Sequence, residues 1–134
     1  MLLGTDNEGK TAWYRAAEWS MLENLQIVWE WAEEKLTTEE IQNKLLLGTD
    51  NKGRIAWHKA AEWGRLESLQ IVWEWAEDKL TTEALKNKLL LGVDNEGRTV
   101  MHVAACMGNL EILQKVREWA EEKLTREEIK INCY

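Results

Sequence analysis

Asp6-Asn7-Glu8-Gly9, Asp50-Asn51-Lys52-Gly53 and Asp94-Asn95-Glu96-Gly97 are one turn written three times, each copy 44 residues after the last. Working outward, the same step relates Gly4, Gly48 and Gly92, and the 134 residues divide into units 1–44, 45–88 and 89–132, with Cys133 and Tyr134 left over. Units one and two share 31 of 44 residues and units two and three share 26. A unit this short cannot bury its own apolar face, whereas stacked units can. The reading is therefore a single repeat domain, 1–134, expected to be a fragment of a longer array.

Each unit reads as a turn and three helices, so the expected fold class is all-α. Asp and Asn favour tight turns, and Gly supplies φ > 0. The first helix is expected from about Thr11 to Trp19 and the second from about Leu22 to Lys35. On the second, Leu22, Leu25, Val28, Trp29, Ala32 and Leu36 fall at helical spacing and form a core stripe. Thr37 with Glu40 makes a capping box for a short third helix ending near Leu45, with Gly48 just past it. Thr81 lacks the acidic partner because Ala84 follows, and Thr125 regains it in Glu128. Ile27 and Trp31 on helix two, and Ile41 and Leu45 on helix three, are each four apart, which predicts that the two pairs meet. Trp13 and Trp57 are expected in the core, and so is Trp75.

Residues 6–32 resemble an ankyrin repeat. The family's T-P-L-H-x-A signature is matched by Thr11-Ala-Trp-Tyr-Arg-Ala-Ala17, Ile55-Ala-Trp-His-Lys-Ala-Ala61 and Thr99-Val-Met-His-Val-Ala-Ala105. Gly108-Asn109-Leu110-Glu111-Ile112-Leu113 is similar to the family's entry into helix two. The period is longer than the family's 33 residues by about three helical turns, which the third helix supplies. The Pro of the signature is Ala12, Ala56 and Val100 here, and its Leu is Trp13, Trp57 and Met101. The resemblance implies stacked helix pairs, turns along one edge, and a role in binding proteins. It also implies that Tyr14, His58 and His102 tie helix one to the neighbouring turn.

Composition narrows the function. With 17 basic and 24 acidic residues the net charge is −7, a poor basis for gripping nucleic acid. No apolar run reaches the length of a membrane span. The chain turns polar after Met1-Leu2-Leu3-Gly4, which reads as no signal peptide. Cys106 and Cys133 make no disulfide framework and are expected as free thiols in an intracellular, cytoplasmic setting. The Asp-Asn-Glu-Gly turn lacks the alternating ligands of a calcium loop. His102 and Cys106 alone do not close a zinc site. No nucleophile–base pair or phosphate loop stands out, so neither enzyme activity nor a cofactor is expected.

The turn-plus-first-helix regions sum to −1 and the remaining regions to −6. The acidic stretches Glu33-Glu34 and Glu39-Glu40 read as solvated faces, leaving a near-neutral opposite side. The resemblance places partner contacts there. Residue by residue, these are Asn7, Glu8, Lys10, Glu18 and Trp19; then Asn51, Lys52, Arg54, Glu62 and Trp63; then Asn95, Glu96, Arg98, Cys106 and Met107. Trp19, Trp63 and Met107 are expected either as an exposed ridge or folded between first helices as core. The expected function is a module binding another protein or peptide, acting as a monomer. The alternative is a structural array that stacks end to end.

Overall fold

The computed structural model describes residues 1–132. About 66% of the chain is helical, with no strand among the described residues, so the fold is all-α. The helices are α1 (Ala12–Glu18), α2 (Leu22–Lys35), α3 (Thr38–Glu40), α4 (Ala56–Glu62), α5 (Leu66–Lys79), α6 (Thr82–Ala84), α7 (Val100–Cys106), α8 (Leu110–Lys123) and α9 (Arg126–Asn132). α3 and α6 run on as π-helical turns over Ile41–Leu46 and Leu85–Leu90.

The starts follow local chemistry. Thr11 Oγ1 accepts from Tyr14 N at 3.1 Å, and Thr37 forms the full capping box with Glu40. Ile55 stands where a threonine would cap, so α4 begins without a side-chain cap. Between the first and second helices of each unit the chain enters the left-handed region, at Ser20 (φ 56°), Gly64 (φ 69°) and Gly108 (φ 69°). Glycine meets that requirement without strain and serine does not.

The π turns explain three neighbouring buried residues. In a π turn the hydrogen bond closes over five residues, as from Leu47 N to the Gln42 carbonyl at 2.9 Å. Ile41 and Leu46 are therefore brought to one side, and Leu45 beside them, and all three are buried. Gly48 follows, where a Cβ would collide with the Lys44 carbonyl.

Helices α1, α4 and α7 lie side by side, each packed on α2, α5 and α8 respectively. The core runs through all of them. Trp13 and Trp57 are fully buried, as expected. Around Trp13 gather Trp29 (5.7 Å between ring centroids) and Trp75 (6.3 Å), with Trp29 and Trp75 stacked at 4.5 Å. The same trio recurs 44 residues on, with Trp57, Trp73 and Trp119. Each trio takes two rings from one unit and the third from the next.

This corrects the expected seat of the third helix. The α3 π segment contacts α4 and α5, and the α6 π segment contacts α7 and α8. It covers the next unit's helices, and Gln42 Nε2 donates across to the Lys79 carbonyl. Ile27 is 63% exposed and Trp31 is 39% exposed, so the third helix does not bury the face they share. Trp75 is half-buried, with the preceding unit's Trp13 and Trp29 packed against it.

Candidate protein-binding surface

The turns are built on their aspartates. Asp50 Oδ1 accepts from Lys52 N and Arg54 N at 2.9 Å each, and Oδ2 pairs with Arg54 Nε at 3.0 Å. Burial pushes the Asp50 carboxyl up, but the two backbone N–H groups and the guanidinium outweigh it and hold it below its ordinary value. Asp94 repeats this arrangement with Glu96 N and Arg98. Successive turns are then laced together. Asn51 N donates to the Glu8 carbonyl at 2.9 Å, and Asn95 N to the Lys52 carbonyl at 3.1 Å.

Beside the turn tips, the ends of α1, α4 and α7 present Trp19, Trp63 and Met107, exposed by 49%, 45% and 51%. Of the two expectations for these rings, exposure is the one observed. Trp19 and Trp63 stack at 6.0 Å with 23° between planes. Lys59 Nζ lies 5.0 Å over Trp63 and the Arg65 guanidinium 5.5 Å over Trp19, so cations brace both indoles. Glu8, Asn7, Asn51, Lys52, Asn95, Glu96 and Cys106 are exposed around them. Arg54, Glu62 and Arg98 are half-buried, with Arg54 Nη1 3.5 Å from Glu62.

Two expected surface residues are not on the surface. Lys10 is 4% exposed and Glu18 is 2% exposed, and they pair at 2.7 Å. The ammonium also lies 3.3 Å from the exposed Glu8 carboxylate, and the Glu18 carboxylate 3.4 Å from Arg15 Nη1. Lys10 and Glu18 support the ridge and do not present themselves to a partner. Lys59 and Arg65 were missed. Lys59 is buried against Glu62 at 3.0 Å, and Arg65 Nε donates to the Glu18 carbonyl at 3.3 Å. Helical spacing announces Lys59, which stands three residues before Glu62 and four before Trp63, whereas no spacing rule announces Arg65, which acts across to a tryptophan of the preceding unit.

Tyr14 makes the inter-unit tie that the resemblance implied: its Oη lies 2.8 Å from the Arg54 carbonyl and 3.2 Å from Asp50 Oδ2. His58 instead donates from Nε2 to the Leu89 carbonyl at 2.9 Å, and His102 Nδ1 accepts from Thr99 N at 3.1 Å. Burial pushes the His58 imidazole below its ordinary value of 6.5, against the pull of the Leu89 carbonyl and Asp94. Below pH 6.5 the unfolded chain takes up a proton that the folded chain refuses. Stability from His58 is thus fully present above 6.5 and falls as pH drops from there towards the folded value. Urea midpoints measured on either side of pH 6.5 should show this slope. His58→Tyr, the residue found at position 14, should flatten it, and an unchanged slope would exonerate His58.

Among the described residues no three His, Cys, Asp or Glu side chains are placed to share a metal ion. No helix among them is long and apolar enough to cross a membrane. Cys106 is an exposed free thiol, while Cys133 lies outside the described residues. The chain matches no known protein-family model, and no curated protein is significantly similar to it.

Proposed function

We propose that the chain is an ankyrin-like solenoid of three repeats, 1–44, 45–88 and 89–132, and that it works as a protein–protein interaction module without chemistry of its own. In this reading it is intracellular and binds another protein or peptide along the turn tips and the first-helix ends. The turn lacing and the tryptophan trios, each repeated after 44 residues, support the solenoid. One observation carries the binding reading: large apolar side chains stand exposed in a row, held by stacking and by cations, where water contact stabilises nothing. Tryptophan with neighbouring charges of both signs is the usual composition of an interface centre. The contact residues are then Glu8, Trp19, Lys52, Arg54, Glu62, Trp63, Glu96, Arg98 and Met107, with Lys10 and Glu18 as the buried support.

Trp63→Ala is expected to weaken binding by at least about 2 kcal/mol while circular dichroism stays native. The partner is first captured on immobilised wild-type chain, identified by mass spectrometry, and then titrated by calorimetry. Glu30→Lys and Glu74→Lys, exposed on the acidic side, are the controls and should change affinity much less. Glu33 and Glu77 are poorer controls, because they pair with Lys79 and Lys123 between units. Normal binding by Trp63→Ala would move the interface elsewhere.

A further inference from the structure

The first and third units present surfaces that fit each other in the register that already joins neighbouring units. Within the chain, a tryptophan of each following unit enters an apolar seat on the unit before it. Trp75 meets Trp13 and Trp29, and Trp119 meets Trp57 and Trp73. Trp31 is the same residue in the first unit, and among the described residues no preceding unit lies over it. It stands 39% exposed beside Ile27, which is 63% exposed.

On the third unit the same seat is present, and no described residue fills it. A cavity of about 330 Å³ lies between Leu90, Met101, Leu113, Arg117, Leu124 and Ile129. Met101 and Arg117 stand where Trp57 and Trp73 stand one unit earlier. Both can still receive an indole: a thioether makes favourable contacts with aromatic rings, and a guanidinium lies well over an indole face. The molecule already uses that second contact, with Arg65 over Trp19 at 5.5 Å.

The residues that make the polar contacts of the internal joints also recur on the outer units, where Glu121 now pairs with Arg117 at 3.0 Å. Glu33 pairs with Lys79 at 3.1 Å and Glu77 with Lys123 at 3.4 Å. The next pair in the series is Glu121 of one copy with Lys35 of another, both exposed. The Asn51 N to Glu8 carbonyl bond and its Asn95–Lys52 repeat continue as Asn7 of one copy to Glu96 of another.

We propose that a second copy of this chain docks head to tail, Trp31 of one copy entering the Met101–Leu113–Arg117 seat of the other. This inference rests on the register between units and not on a partner at the ridge, although Trp19 lines one groove with Ile27 and the Asn7–Glu96 contact joins turn tips beside it. Because the two surfaces differ, the contact does not close on itself and successive copies extend the row.

Sedimentation velocity of the intact chain, from micromolar to millimolar concentration, tests this. The wild type should gain mass in steps beyond a dimer. Trp31→Ala, which removes a half-exposed ring, and Met101→Glu, which puts a carboxylate against the indole face, should each weaken association at least about tenfold. The decisive arm mixes these two variants. One keeps only the seat and the other only the tryptophan, so the mixture should give a one-to-one dimer and stop there. A wild type that stays monomeric at millimolar concentration overturns the proposal. So does a dimer that both variants leave intact, or a mixture that remains monomeric when each variant has a native circular dichroism spectrum.

Discussion

Trp57→Ala is expected to lower the unfolding free energy by about 4–5 kcal/mol, at the upper end for a buried aromatic truncation. The ring is wholly buried and lies 5.5 Å from Trp73 and 5.8 Å from Trp119. Its neighbours are large flat rings seated on α5 and α8 of successive units, so the hole left behind cannot collapse without parting two units. The indole N–H adds to the loss, since it donates to the Leu69 carbonyl at 3.1 Å. Trp13 offers an internal comparison. It has the same repeat position and the same burial, but its Nε1 is buried without a hydrogen-bond partner. Phenylalanine at 57 gives up a hydrogen bond, whereas phenylalanine at 13 gives up an unsatisfied donor. Trp13→Phe should therefore be the milder of the two by about 1 kcal/mol. Urea melts of the three variants decide the matter. A loss under about 2 kcal/mol for Trp57→Ala would mean that the units pack more loosely than the trios suggest.

Much of this arrangement was legible in the chain itself. The helix limits follow from Thr11, Thr37 and the apolar spacing from Leu22 to Leu36, and they are observed within a residue or so. The buried Trp13 and Trp57 followed from their place in a repeated signature. The partner of the third helix was not legible, for a definite reason. In a repeat, a contact within one unit and a contact to the next leave the same pattern, because a shift of 44 residues changes nothing in the spacing. Ile41 and Leu45 announced an apolar face but not whose helices it covers. The π turn was hidden too, since Leu45, Leu46 and Leu47 read equally well as an α-helix end. At the candidate surface, exposed Trp19, Trp63 and Met107 could be guessed from position. Lys10 and Glu18 could not be recognised as buried, because Lys10 precedes α1 and Glu18 ends it, a separation of eight that belongs to no helical pairing rule, and charged residues are mostly solvated.

Lys10→Met should therefore cost about 3 kcal/mol or more, well beyond the effect of deleting a surface charge. Both side chains of the pair are 3% exposed, and Lys10 Nζ contacts both Glu18 oxygens, at 2.7 and 3.0 Å. Without the ammonium, the Glu18 carboxylate stays in the interior with Arg15 Nη1 at 3.4 Å as its remaining cation. That partial compensation sets the estimate at the lower end of the range for a broken buried pair. The double change Lys10→Met with Glu18→Leu removes the stranded charge and should recover most of the loss, since well-packed apolar replacements of buried ion pairs are often neutral. The mixed outcome separates the pair from mere packing: a side chain that only filled space would give costs that add. The same variants connect the fold to the binding reading. Glu18 ends α1 immediately before Trp19, and its carbonyl accepts from Arg65 Nε, whose guanidinium lies over the Trp19 ring. Loosening Glu18 should loosen the first rung of the ridge. Lys10→Met should thus weaken partner binding more than Lys52→Met, although neither the Lys10 ammonium nor the Glu18 carboxylate reaches the surface. Urea melts give the first quantity and calorimetry the second. A Lys10→Met chain with wild-type stability would show that the pair contributes nothing net, and the support it gives Trp19 would have to come from Arg65 alone.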